Sequence, residues 1–388
     1  MGKTVMPIKV AYVHNVCMPY KVPLLSKISG QPEILMHGFF GQSHWKNSKL
    51  YTIKDIKGFP ATILPTLNIV FPYKGRGLHL FWNPTLFKAL CRFHPNVIVA
   101  GNSNFPNNIT VALYARRFNI PYIWHGIGSM YDNETPLRRF FSIPLVWFFT
   151  NANAGIAFNT TAKNYFIRRF ALPSENIFVA PNLVDTRIVE SERRRFSSLI
   201  DAKRRDLGLQ GMKTILFVGV LEPSKRVDCL IRAFAMIREK VPDAVLVIVG
   251  DGSSRRYLEK LAAETGPARI IFLGRHLADA NLYFMLGDIF VLPGLGGLAI
   301  SQAMSHGLPV ISARADGTEQ DLITNGKNGF VLSGPDPIRE ICKRLEMLLL
   351  DDDLRIRMGQ ESRRLISERF NIDNTAMIFT RALRSVLK

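Results

Sequence analysis

Acidic residues are scarce in this chain. Its 388 residues carry 50 Lys and Arg but only 31 Asp and Glu, a formal charge of +19 at pH 7. The shortage is uneven: residues 1–185 hold 19 Lys and Arg against 6 Asp and Glu, and the remainder contributes only +6. A first half this basic calls for an anionic surface or substrate, such as acidic lipid, a phosphate-bearing ligand or nucleic acid, unless the whole proteome is basic. Cysteine is also sparse. Cys17, Cys91, Cys229 and Cys342 are scattered with no C-x-x-C spacing, which suggests neither a disulfide framework nor a zinc site and fits a reducing compartment. No apolar run is long enough to span a bilayer; the nearest, Phe140 to Phe149, is interrupted by Ser142 and Pro144. Low-complexity tracts and solenoid repeats are missing too, and MGKTVMPIKVAYVH runs directly into a strand-like segment without a signal peptide.

What is present is a folded, two-domain composition: 47% hydrophobic and 21% charged residues over a length that exceeds one ordinary core. Apolar runs at Lys9 to His14, Ile34 to Phe40, Val97 to Gly101, Tyr122 to His125, Gly155 to Phe158 and Ile177 to Ala180 are separated in several places by helix-length segments. That alternation predicts a mostly parallel sheet with helices on both faces, in which ligands sit beyond the carboxyl ends of the strands. A second alternation begins at Thr214 to Val218 and continues through Ala244 to Val249, Ile270 to Leu273, Ile289 to Leu292, Pro309 to Ser312 and Gly329 to Leu332, with a helical tail from Pro337. Between them, residues 186–211 are charged and poor in apolar periodicity, the best linker candidate. The expected organisation is therefore α/β with two doubly wound, Rossmann-like domains: 1–185, a linker over 186–211, and 212–388, the last helix returning to the first domain. Two such halves would face each other across a cleft.

The stretch IFVLPGLGGLAISQAMSHGLPVIS, residues 289–312, organises the second half. It reads as strand, glycine loop, helix, strand. Ile300, Ala303, Met304 and Gly307 follow helical spacing and would pack on a sheet, while Gln302 points away. Gly294, Gly296 and Gly297 let the backbone come close to a ligand and leave the first helix amides bare, a site for phosphate. A tight turn serving only helix–sheet packing is the competing explanation. In the first half His125, in YIWHGIG, ends a strand and precedes Gly126-x-Gly128; it is read either as a structural hydrogen-bonding residue or as a functional one. Thr135 to Phe149 combines Arg138 and Arg139 with a dense aromatic run, and Arg116, Arg117, Arg168 and Arg169 are near in sequence. It fits either a peripheral contact with an anionic membrane or an internal helix.

The order of motifs in the second half resembles glycosyltransferase family 4, retaining enzymes with the two-Rossmann-domain GT-B fold. The resemblance rests on FVGVLEPSKRVDCLIRAF, VIVGDGSSRRYLEKLA, IIFLGRH, DIFVLPGLGGLAISQAMSHGLPVI and DGTEQDLITNGKNGFVL. PNLVD at 181–185 is similar to the family's junction segment, and HNVCMPYKVPLL resembles members with a Pro-Tyr-Arg/Lys loop. By position, the resemblance implies that Lys225 pairs with the donor diphosphate and that Gly296, Gly297 and Leu298 offer amides to the distal phosphate. It implies further that Gln302 holds the ribose, that Arg275 lines the nucleobase pocket, and that His125 lies near the transferred sugar. Glu319 falls in a loop with hydroxyl contacts, and Asn15, Tyr20 and Lys21 form the acceptor-side loop. The chain departs from the family at three positions. Gly294 and Gln302 replace two glutamates eight positions apart, Gln302 as a neutral amide making weaker contacts than a carboxylate, and Val220 replaces an Arg, for which Arg226, itself in place of a family glycine, would compensate.

The function implied is transfer of a hexose-type sugar from a nucleotide-diphosphate donor to a glycan or lipid-linked acceptor in cell-surface polysaccharide synthesis, with retention. No metal-ligand cluster and no cofactor is expected; the donor is a substrate. The expected location is cytoplasmic, peripheral on the cytoplasmic face of the membrane. The competing functions are a nucleotide-sugar isomerase on the same fold and a catalytically weak GT-B binding protein. Nucleic-acid binding is disfavoured because no recognised motif accompanies the charge.

Overall fold

The near-continuous apolar runs, Val/Ile/Leu-rich and buried on both sides, form parallel strands because each must hide two faces. The structure is a computed structural model that describes residues 6–42, 56–73, 76–101, 105–127, 146–266, 269–276 and 279–387. It divides into two units, Met1–Asn182 with Ile372–Lys388 and Leu183–Asn371.

The first unit is built on β1 (Ile8–His14), β2 (Ile34–Gly41), β3 (Ala61–Leu64), β6 (Val97–Gly101), β7 (Tyr122–Gly126), β8 (Ala154–Ala157) and β9 (Ile177–Val179). All pair in parallel in the order β3-β2-β1-β6-β7-β8-β9, with Val10 aligned to Met36 on one side and Val97 on the other. A separate antiparallel hairpin joins β4 (Leu67–Tyr73) to β5 (Arg76–Trp82). Alternate residues of β1 feed opposite layers: Ala11 and Val13 pack with Leu86, Leu90 and Phe166, whereas Val10 and Tyr12 pack with Leu25, Ile28 and Phe379. The last of these comes from the terminal helix Ile372–Ser385, which lies against the helix Val22–Ser29 with Thr380 Oγ1 donating to Gln31 Oε1 at 2.9 Å.

The second unit is built on β10 (Lys213–Val218), β11 (Ala244–Val249), β12 (Ile270–Gly274), β13 (Ile289–Leu292), β14 (Val310–Ala313) and β15 (Gly329–Leu332). They form a parallel sheet in the order β12-β11-β10-β13-β14-β15. Helices covering it include Val227–Ile237, Leu298–Ser305 and Pro337–Leu350, the last capped by Asp336, whose carboxylate accepts from the Ile338 and Arg339 amides at 3.1 Å. As the spacing predicts, Ile300, Ala303 and Met304 are fully buried. In both sheets the strand order reverses beside the first strand, between β1 and β6 and between β10 and β13, the position where a doubly wound fold opens a crevice for ligands.

One expectation is corrected, and one pair of alternatives is narrowed. Residues 186–211 are not an extended linker: they form the helices Thr186–Phe196 and Ile200–Asp206 and pack into the second unit. Val189 and Phe196, seven apart, make one narrow buried stripe, and Asp185 caps the first helix through the Arg187 amide at 3.0 Å. The high charge that suggests a linker covers the remaining faces. Of the Thr135–Phe149 segment, residues 135–145, with Arg138 and Arg139, lie outside the described residues, as does Gly128. Residues 146–149 are helical, and Phe148 and Phe149 are buried against Tyr122 and Trp124, so this end belongs to the core instead of a membrane surface. Among the described residues no helix is long and apolar enough to cross a membrane.

Candidate active site

In the second unit the loops after β10 and β13 meet backbone to backbone at the reversal point. The Leu295 amide donates to Ser224 O at 2.9 Å, and Lys225 Nζ donates to Leu295 O. Gly294 is obligatory: a Cβ there would lie 2.3 Å from Ser224 O and 2.6 Å from the Lys225 carbonyl carbon. The residue that departs from the family pattern is thus the one at which no side chain fits. Gly296 adopts φ +154°, and a Cβ there would come within 2.9 Å of Lys225 Nζ. Among the described residues the amides of Gly296, Gly297 and Leu298 reach no protein acceptor, as expected of a helix start. The lysine and the helix amides therefore sit together, as the sequence places them. Burial pushes the Lys225 ammonium below its usual range, opposed by the Asp316 carboxylate. Asp316 and Thr318, in the loop 316–319 that the resemblance marks for hydroxyl contacts, edge the helix start: a Cβ on Gly297 would stand 3.2 Å from Asp316 Oδ2 and 3.1 Å from Thr318 Oγ1.

Gln302 sits in a polar chain that sequence reasoning missed. Glu192 can only accept, so Asn281 Nδ2 donates to it and Asn281 Oδ1 faces the other way. That oxygen accepts from Gln302 Nε2 at 2.9 Å and from His306 Nε2 at 2.9 Å. Gln302 is therefore oriented with Oε1 as its remaining polar atom, an acceptor. An ionised glutamate could not donate to Asn281 Oδ1, so the replacement is matched to this partner. His306 is pushed down to about 4 by burial and by the positive Arg193 and Arg363. The signal available in the sequence is the spacing of Gln302 and His306, one helical turn apart.

Three assigned residues fall outside this arrangement. Arg226, in left-handed conformation at φ +52°, turns its guanidinium to Cys229 Sγ at 3.1 Å, and among the described residues no contact joins it to Lys225. Glu319 is fully buried, with both carboxylate oxygens taken by the Ala315 and Gly317 amides at 3.0 and 3.1 Å; it shapes its own loop instead of reaching a ligand. Arg275 is exposed just after β12, beside His276, which is held by Leu273 O and Tyr283.

In the first unit, His125 is next to last in β7 and is 2% exposed. Its Nδ1 lies 3.1 Å from Tyr12 Oη, Phe158 and Phe379 stand edge-on to its ring, and Nε2 is buried without a partner. Lys21, expected on an acceptor-side loop, is instead buried, 2.8 Å from His14 Nε2 and 3.4 Å from Tyr12 Oη. Those contacts fix the direction of the chain. His14 Nδ1 donates to Val16 O at 3.0 Å, the shorter of two approaches to Val16, so Nε2 accepts from Lys21. Tyr12, accepting from Lys21, gives its own proton to His125 Nδ1, and the proton of a neutral His125 resides on Nε2, aimed at no protein atom. Burial drives His125 and His14 well below the usual histidine range and Lys21 to about 7. Asn15 Oδ1 is also buried without a partner, while Tyr20 is partly exposed. Tyr12 and His14, which sequence reasoning missed, share one face of β1 at an interval of two, the signal available for them in the sequence.

Comparisons with known proteins agree with this architecture. Residues 200–365 match the family model described as Glycosyl transferases group 1, and residues 53–188 match that described as Glycosyltransferase Family 4. An uncharacterized glycosyltransferase of Haemophilus influenzae is 32% identical over 165 residues, covering 42% of this chain and 46% of the relative. A GDP-mannose-dependent alpha-(1-6)-phosphatidylinositol monomannoside mannosyltransferase of Mycolicibacterium smegmatis is 30% identical over 222 residues, covering 53% and 56%. The chain thus spans about half the length of the curated relatives it matches. The crystal structure of Anabaena HepE in complex with UDP superposes with a TM-score of 0.76 over 98% of this chain and 100% of that one, at 19% identity, a likeness of fold.

Proposed function

We propose a reaction for a chain that belongs to glycosyltransferase family 4: transfer of a sugar from a nucleoside-diphosphate donor to a glycan or lipid-linked acceptor in cell-surface polysaccharide synthesis, with retention of configuration. The observation that carries this reading is Lys225 held against the open amide end of the Leu298–Ser305 helix, at the reversal point of a parallel sheet. Negative charge grows on the diphosphate as the sugar–oxygen bond breaks, and fixed donors that need no reorganisation stabilise it. The ammonium and the helix dipole meet that charge without a divalent ion. Gln302 Oε1, the acceptor left by the Asn281 contact, suits a ribose hydroxyl. For His125 the reading is a neutral donor, through Nε2–H, to a sugar oxygen.

A thermal-shift screen of nucleotide sugars tests it, and the relatives' printed ligands put UDP- and GDP-linked sugars first. One donor should raise the melting temperature, Lys225→Ala should remove that shift, and transfer should fall by about 100-fold or more while the fold persists. Full transfer activity in Lys225→Ala would sink the reading. Release of free or rearranged sugar with donor alone would favour an isomerase, and donor binding without turnover across acceptors a binding protein.

A further inference from the structure

The polar chain around Gln302 joins three elements of the second unit and begins at a carboxylate that the donor chemistry does not use. Glu192 lies on the helix Thr186–Phe196, Asn281 on the helix Ala280–Phe284, and Gln302 and His306 on the Leu298–Ser305 helix and its C-terminal cap. The two carboxylates of the first helix are spent differently. Glu190 meets Arg363 at 3.0 Å, whereas among the described residues no ion pair joins Glu192 to a cation, although the helix itself carries Arg193, Arg194 and Arg195. Glu192 is half-buried and accepts from Asn281 Nδ2.

That contact decides every donor and acceptor behind it. Asn281 is only 8% exposed, so water offers its amide little alternative. With Nδ2 drawn to a group that can only accept, Oδ1 faces the other way and takes protons from Gln302 Nε2 and His306 Nε2, each at 2.9 Å. The imidazole is held as well, stacked on the buried Phe284 with centroids 5.7 Å apart and planes 8° apart. Turning Asn281 over would set its oxygen against the carboxylate, so one arrangement survives. An amide at position 192 would accept either arrangement; a carboxylate accepts one.

We infer that Glu192 is a positioning residue for the nucleotide: through Asn281 it fixes position 302 to present a hydrogen-bond acceptor, Oε1, to a ribose hydroxyl. The inference rests on the proposed donor site for its ligand, but the direction of the chain is read without one. It has a reciprocal consequence. A carboxylate at 302 is excluded only while a carboxylate stands at 192. With Glu192→Gln and Gln302→Glu together, the new amide donates to Asn281 Oδ1, and Asn281, turned over, donates through Nδ2 to the new carboxylate and to His306 Nε2.

The experiment combines nitrogen NMR of labelled histidine at pH 7 with calorimetric titration of UDP and of GDP, on the full native chain, Glu192→Gln, Gln302→Glu and the double variant. Each substitution exchanges groups of equal size, and circular dichroism should not change. Native His306, neutral at that pH, should carry its proton on Nε2. Gln302→Glu should bind nucleotide about tenfold more weakly, because two acceptors then face each other. Adding Glu192→Gln should return affinity to within about threefold of native and move the His306 proton to Nδ1. Glu192→Gln alone should show both tautomers and about half the native affinity, the share of molecules left in the native direction. A native Nδ1–H signal, full-strength binding by Gln302→Glu, or a double variant no better than Gln302→Glu would overturn the inference. Binding of neither nucleotide by any form would remove the donor site and with it the ribose role, and the histidine spectra distinguish that failure from a wrong direction of the chain.

Discussion

The two units place a lysine near the reversal point of a parallel sheet, yet they treat it in opposite ways. In the first, Lys21 is sealed among His14, Tyr12 and Phe158, with no carboxylate against it among the described residues, and its proton is held so weakly that it titrates near 7. In the second, Lys225 rests on a loop of glycines beside bare amides, with Asp316 supporting its charge. One unit presents polarity through side chains that fix one another's protons; the other presents it through the backbone. The difference shows why glycines crowd the second site while aromatic rings crowd the first: backbone donors need close approach, and side-chain donors need walls.

The largest effect that would break this contrast comes from restoring a side chain to the glycine loop. Gly294→Glu should not recover the family's glutamate. With Ser224 O 2.3 Å from the Cβ position, it should destabilise the second unit by about 3 kcal/mol and abolish nucleotide binding, read by chemical denaturation and calorimetry. An active, equally stable Gly294→Glu protein would show that the loops are not locked together.

Next in size is the pH dependence of the buried lysine. An unfolded Lys21 keeps its proton to about 10.5, the folded one only to about 7, so between these values the unfolded chain binds more protons and stability rises with pH. The gain should be about 1 kcal/mol per pH unit, and Lys21→Met should flatten it in denaturation curves at pH 7 and 9. In the second unit, His306 lies at about 4 against 6.5, so its contribution is present above 6.5 and lost as pH falls toward 4. His306→Gln should remove that acid-side loss and leave the alkaline slope intact.

The smallest effect sharpens the proton order. Tyr12→Phe removes the donor to His125 Nδ1 at a cost of about 1 kcal/mol. Nitrogen NMR of labelled histidine should show His125 protonated on Nε2 in the native protein and a tautomer mixture in Tyr12→Phe. A native Nδ1–H signal would reverse the direction of the chain.

Much of this was legible beforehand. β6, β11, β13 and β15 coincide with apolar runs, because a strand buried on both faces has little freedom in composition. The pairing of Lys225 with the Leu298 helix start followed from ordered motifs. The hairpin β4–β5 was not anticipated, and residues 186–211 were misread, since a helix with one narrow buried stripe carries almost the composition of a linker. Arg226 and Glu319 were placed by position in a motif, but where their side chains point depends on Cys229 and on the loop amides.

By itself, the sequence determined the strands, the glycine loop and the excess of positive charge, because periodicity, steric freedom and net charge are local or additive properties. Only the tertiary structure decided which polar atoms are already spent and which remain for a ligand: Lys21 enclosed, Gln302 turned by Asn281, His125 left with one unmatched nitrogen. Hydrogen-bond direction is fixed by partners far apart in the chain, and burial, which shifts protons, exists only once those partners meet.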